Sequence, residues 1–240
     1  HADDHRDHRL ANPNRCRDEG HRPRRRLNAI VSPLIDISPP IHASIAVWPG
    51  DVPFQRQVAC DMQEGAHMTL SAIQTTLHVG AHADAPNHYL KEGRGIAAQD
   101  LAPYYGPCQV IRVEVGRSQR IYPDQVRVPI RQTRILFHTG TFPDPSTFNE
   151  DFASLSPELI EWLAEQGVVL VGIDTPSVDP CTSKALESHA ALARTRMANL
   201  EGLVLSEVLP GEYTLIALPL ALKDADASPV RAVLAPLSNH

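Results

Sequence analysis

The sequence predicts a single α/β domain: a mixed, strongly curved, barrel-like β-sheet with helices packed outside it. Three observations carry that reading. Segments patterned as strands outnumber segments patterned as helices. One segment, from Ser156 to Gly167, carries helix start and stop signals and runs directly into an apolar strand pattern. No repeat or interdomain linker interrupts the 240 residues, a length ample for a buried core.

Order is expected from Leu27 onward, so the domain is placed at 27–240. Residues 1–26 are rich in His, Arg, Asp and Asn and lack an apolar period, which predicts a disordered arm. Its histidines (His1, His5, His8, His21) read as solvated, and it contains no initiator Met and no hydrophobic signal core. Residues 30–37 are apolar and β-branched and stop at Pro39-Pro40, an early strand. Val47-Trp48-Pro49-Gly50-Asp51 is a turn carrying one of two tryptophans. Trp48 serves there either as a packing residue or as an aromatic wall for a substrate, and the residues alone leave both open.

Residues 68–77 alternate and predict a strand that leads straight into His78. Residues 89–101 read as a loop with a short helix, 108–115 as a strand, 123–126 as a helical turn, and 135–137 as a short strand ending at His138. Ser156 then caps a helix with Pro157 at its first position, Glu158 complementing the helix dipole, and Gly167 as the stop. Residues 168–173 are too apolar for an edge strand. Asp174-Thr175-Pro176 follows at its end, where α/β folds tend to carry sites. Residues 183–200 read as partly helical, and 213–222 as the last long strand.

A net charge of −6 argues against a nucleic-acid surface as the main partner. No apolar run reaches the roughly 18 residues of a membrane span. Four scattered cysteines (Cys16, Cys60, Cys108, Cys181) form no C-x-x-C pair, which argues against a thiolate zinc site and fits a reducing cytoplasm.

The stretch from His78 to His88 is the chemical centre of the chain. His78, His82, Asp84 and His88 fall on even spacings, so an extended backbone would turn all four to one face. Fully extended, the run would span roughly 33 Å, too far for one site, so it must fold back. Gly80 and Pro86 allow that and also disfavour a helical reading of His78 and His82. Imidazole and carboxylate donors without thiolate suit Zn²⁺, Mn²⁺ or Fe²⁺ in an open, water-holding hydrolytic site. An uncoordinated His nearby could move a proton near neutral pH. His42, His67 and His138 are isolated and read as ordinary histidines. Neither a G-x-S-x-G elbow nor a phosphate-binding P-loop is present.

The pattern His78-x-Gly80-x-His82-x-Asp84-x-Pro86-x-His88 resembles the metal signature of the cyclase-like amidohydrolases, and within them the bacterial kynurenine formamidase branch. The segments Trp48-Pro49-Gly50-Asp51, Gly172 to Asp179, Ser183-Lys184 with His189, and Leu200-Glu201-Gly202-Leu203 share the likeness, which spans about residues 34–234. Ala81 departs from the Thr common in that family, at a position that is not a ligand. The resemblance implies a swivelling β/β/α fold, a homodimer and two divalent ions, Zn²⁺ foremost with Mn²⁺ as the other option. It implies His78, His82 and Asp84 on the first ion, Asp84 and Glu201 bridging, and His189 on the second. His88 would then be the proton donor and acceptor, and Trp48 a wall of the substrate pocket. The implied substrate is N-formyl-L-kynurenine, hydrolysed to L-kynurenine and formate in tryptophan degradation. An isatin hydrolase-like opening of a cyclic amide or lactone is the alternative. Without the resemblance, His189 reads as a surface histidine and Glu201 as a solvated acid.

Overall fold

The computed structural model describes residues 34–237, which belong to one compact unit, Ser32–His240. The expected N-terminal arm and its four histidines lie outside the described residues. In chain order the elements are β1 (Ile35–Asp36), β2 (Gln55–Cys60), β3 (Leu70–Gln74), β4 (His82–Asp84), β5 (Tyr105–Arg112), β6 (Arg120–Ile121), β7 (Arg134–His138), β8 (Ser154–Leu155), α1 (Pro157–Glu165), β9 (Leu170–Ile173), α2 (Glu187–Thr195), β10 (Ala198–Leu200), β11 (Gly211–Ile216), β12 (Ala227–Pro229) and β13 (Val233–Pro236).

Seven strands form one mixed sheet in the order β1-β13-β11-β5-β7-β9-β10. The β5–β7, β7–β9 and β9–β10 pairs are parallel, whereas β1–β13, β13–β11 and β11–β5 are antiparallel. Strand alternation sends side chains to two separate cores. Leu136 and Leu170 enter one core, while their neighbours Ile135, Phe137, Val171 and Ile173 enter the other. The second core is roofed by α1 and α2, with Leu159, Ile160 and Leu163 of α1 fully buried. Each such side chain stabilises the roof by about 1.5–3 kcal/mol. The predicted start of α1 is present: the Ser156 hydroxyl accepts from Leu159 N, and Pro157 opens the helix.

Over the first core lies a separate ribbon, β4 paired antiparallel with β12. Its alanines Ala81, Ala83 and Ala85 face that core, so the polar residues between them point away from it, into the site. The ribbon joins the sheet through a two-residue bridge: His82 N donates to Glu201 O at 3.1 Å and Glu201 N donates to His82 O at 3.0 Å. Glu201 directly follows β10, so this bridge welds the ribbon to the sheet edge.

Two sequence expectations are corrected here. The strand at 68–77 does not run into His78. It ends at Gln74 as half of a hairpin with β2 and is solvent-exposed on both faces, and the chain turns again at Gly80 before β4. Alternation alone could not reveal that its apolar face lacks a core to meet. The strand expected at 213–222 ends at Ile216, and two shorter strands, β12 and β13, follow it.

The weld has a testable weak point. Gly202 sits at φ +65°, and a Cβ there would lie 2.1 Å from Gly80 O. Gly202→Ala would combine a left-handed backbone, about 1–2 kcal/mol for an L-residue, with a backbone clash that no side-chain movement relieves. The expected loss of unfolding free energy is about 2 kcal/mol or more, together with weakened metal binding, read by chemical denaturation and metal analysis. A wild-type midpoint would show that the two turns can separate freely.

Candidate active site

The folded-back ribbon brings His78, His82 and Asp84 together as a group able to hold one metal ion. Gly80 at φ +59° makes the return between the first two, and the β4–β12 pairing keeps His82 and Asp84 on one face. The His78 Nδ1 and Asp84 Oδ1 atoms are 3.0 Å apart, and His82 Nε2 lies 3.7 Å from the same oxygen. Residues from α2 and from just past β10 complete the cluster. His189 on α2, 105 residues beyond Asp84, places Nε2 3.3 Å from Asp84 Oδ2 and 3.5 Å from Glu201 Oε1. Glu201 Oε2 is 3.3 Å from His82 Nε2. All five sequence-derived metal candidates therefore meet at one place.

His88, on the turn Pro86–His88 just past β4, borders the same cluster. It forms a further group of potential ligands with Asp84 and His189. Trp48 is half-buried. It packs edge-on against Phe148 and Phe152, at 5.5 and 6.2 Å between ring centroids, and it lines a cavity of about 360 Å³ whose floor includes His78, His82, His88 and Glu201. Phe142, Phe148, Ile45, Leu186 and Leu203 extend its apolar wall. This size and lining suit a small aromatic ligand. His42 and His67 are exposed, and His138, buried on β7, belongs to none of the metal-competent groups.

The cluster fits a cation on two physical grounds. First, Asp84 and Glu201 are almost fully buried, and among the described residues their only ion-pair partners are histidines, never Lys or Arg. Two adjacent buried carboxylates are strongly unfavourable without positive charge between them. Second, His82 Nδ1 donates to Gly80 O at 2.9 Å, which leaves Nε2 as a lone pair. That buried Nε2, and Asp84 Oδ1 opposite it, have no hydrogen-bond partner. A cation satisfies both at once.

The charges of these groups are set by one another. Burial lowers the pKa of His78, but the Asp84 and Asp226 carboxylates outweigh it and raise it to about 9. Burial likewise opposes the charge on His189, yet Asp179, Asp84 and Glu201 raise its pKa well above the usual value. Burial pushes the Asp84 carboxyl up, but the surrounding imidazoles hold it well below the ordinary range. For His88 burial dominates and lowers the pKa, so its ring is neutral near pH 7.

Sequence reasoning missed three polar residues around these candidate ligands. Asp179 Oδ2 accepts from His189 Nδ1 at 2.8 Å, and its other oxygen accepts from Arg120 and Ser188 N. That fixes the His189 tautomer with Nε2 facing Asp84 and Glu201. Asn199, fully buried on β10, donates Nδ2 to both Asp84 Oδ2 at 2.7 Å and Glu201 Oε1 at 3.2 Å. Asp226 accepts from His78 Nε2 at 2.9 Å. Asp179 stood in a recognised segment but carried no sign of its role. Asn199 and Asp226 gave no signal at all.

Comparison with known proteins places this geometry. The Cyclase family model matches residues 35–180. Kynurenine formamidase from Bordetella petrii is 45% identical over 203 residues, 84% of this chain and 97% of that protein. The Bordetella pertussis kynurenine formamidase is also 45% identical, over 85% of this chain and 99% of its own length. A solved structure described as a potential metal-dependent hydrolase with cyclase activity is 25% identical, with a TM-score of 0.73 over 84% of this chain and 96% of that one. Isatin hydrolase A from Labrenzia aggregata shares the fold, at 20% identity and TM-score 0.74 over 87% of this chain and 95% of the other. The donor set and these neighbours together mark the cluster as a divalent-metal site.

Proposed function

The chain belongs to the cyclase family of metal-dependent hydrolases, and from that premise we propose that it hydrolyses N-formyl-L-kynurenine to L-kynurenine and formate, a step of tryptophan degradation. The observation that carries this reading is the meeting of all five donors with His88 under an aromatic cavity. The two kynurenine formamidases named above support the choice of substrate.

In this reading two divalent ions occupy the cluster, Zn²⁺ foremost and Mn²⁺ as the other option. His78, His82 and Asp84 would hold one, His189 would help hold the other, and Asp84 and Glu201, each facing both halves of the cluster, would bridge the two. When bound, such ions supply Lewis acidity, polarising a carbonyl and making water a usable nucleophile near neutral pH. The chain's own residues do the rest. Trp48 and its phenylalanine neighbours hold the aryl ring and exclude bulk water. Asn199 keeps the two carboxylates in register. His88, whose partly desolvated ring has a lowered pKa, takes the proton that water releases on attacking the formyl carbon. It then passes that proton to the aryl nitrogen as the C–N bond breaks. An arylamine is a weaker base than an alkylamine and needs less help to leave.

The hydrolase domain in this reading runs over 27–240 after a short arm, and the protein acts as a homodimer in a reducing cytoplasm. The hairpin β2–β3 supports the dimer: Val58, Met62, Met68, Leu70 and Ile73 are exposed along it. An isolated two-stranded hairpin is marginal in water and gains from a partner surface. Cys60, Cys108 and Cys181 form no disulfide among the described residues, and no described helix is long and apolar enough to cross a membrane.

The test is a direct assay. Metal-loaded protein should release L-kynurenine from N-formyl-L-kynurenine, lose activity on chelation and regain it on adding Zn²⁺ or Mn²⁺. Isatin should be turned over far more slowly. Faster opening of isatin, or activity indifferent to chelators, would reverse the assignment.

A further inference from the structure

We infer that Asp226, which lies outside the ligand set, is a positioning residue that keeps the His78 imidazole in its metal-ready tautomer and orients His88 beside it; this rests on the hydrolytic reading of the same site. The fold delivers Asp226 through the pairing of β12 with β4. Ala227 stands opposite Asp84, and the Asp226 carbonyl accepts from Ala85 N at 2.8 Å. Its side chain then reaches across the ribbon. A single oxygen, Oδ2, is 2.9 Å from His78 Nε2 and 3.8 Å from His88 Nδ1. The two rings lie 4.2 Å apart between centroids.

A neutral imidazole has one N–H and one lone pair, so the two tautomers of His78 have opposite consequences. With the N–H on Nε2 and donated to Asp226, the lone pair sits on Nδ1, 3.0 Å from Asp84 Oδ1. That edge has two acceptors and calls for a cation. With the N–H on Nδ1, the ring would donate to Asp84 and satisfy it internally, in competition with the ion. A carboxylate at Nε2 selects the first tautomer. The same oxygen attracts Nδ1–H of His88 and leaves that ring's other nitrogen as its lone pair. Asp226 has no comparable structural duty: its side chain is about half exposed and packs in neither core.

The experiment uses the full chain stripped of metal, as wild type, Asp226→Asn and Asp226→Ala. Affinity for Zn²⁺ is measured by competition with a chromophoric chelator, the Co²⁺ form is examined by visible absorption, and kcat and KM follow at saturating metal. Asp226→Ala should bind metal roughly 10–100-fold more weakly at unchanged stoichiometry, with an altered Co²⁺ spectrum and a lower kcat at similar KM. The near-isosteric Asp226→Asn, which keeps an acceptor without the charge, should lose less affinity. The metal-free variants should melt with the wild type. Wild-type affinity in both variants overturns the inference. A fall in stoichiometry overturns it too, since His78, His88 and Asp226 also form a group able to hold an ion and Asp226 would then be a ligand. Metal binding is read without substrate. A wild-type chain inactive on formyl-kynurenine would therefore refute the hydrolytic reading separately.

Discussion

Asp84→Asn should strip the site of metal and abolish turnover. Asp84 is the residue on which the donor set converges: Oδ1 faces His78 and His82, and Oδ2 faces His189 and Asn199. Asparagine keeps the shape and can still accept from Asn199, so the fold should survive, but it removes one of two buried negative charges. Neither half of the cluster then retains enough charge to offset the dehydration of a divalent ion. Lost Lewis acidity amounts to several kcal/mol of transition-state stabilisation, so kcat/KM should fall by at least about three orders of magnitude. Elemental analysis after gel filtration should find both positions depleted. Full occupancy of both would show that Asp84 does not bridge.

His88→Ala should separate proton transfer from metal binding. The structure allows His88 either role, because it joins Asp84 and His189 in a metal-competent group while its pKa is lowered by burial as a neutral base requires. As the proton carrier, its loss should lower kcat by about 10²–10⁴-fold, with metal content near wild type and KM little changed. Metal loss in proportion to activity would make His88 a ligand and leave the proton to another group. Comparing the two variants is informative, since Asp84→Asn should lower metal content and rate together and His88→Ala the rate alone.

The elements legible in the sequence are those whose signals are local. Ser156-Pro157-Glu158 announces α1 because the cap, the proline and the acid act within one turn. Residues 168–173 announce β9 because only a strand covered on both faces is so uniformly apolar. The strand at 68–77 misled because its alternation is real while its burial is not: β3 stands exposed on both faces. Beyond the last long strand, expected at 213–222, no local signal marks β12, whose three residues Ala227, Ser228 and Pro229 carry no strand signature and pair only because β4 is there to receive them.

By itself the sequence determined the ribbon. The spacing of His78, His82, Asp84 and His88, with Gly80 and Pro86 between them, dictates a fold-back that gathers nitrogens and oxygens, since donor spacing and turn chemistry act over a few residues. His189 and Glu201 could be named only through family likeness. Tertiary structure alone decided how they arrive, through the register that sets Leu200 beside Gly172 and bridges His82 to Glu201. It also decided that Asn199, Asp179 and Asp226 would stand behind the candidate ligands. A hydrogen bond between residues some 105–148 positions apart, as in His189–Asp84 or His78–Asp226, leaves no periodic trace along the chain, because the geometry that makes it comes from strand register and packing.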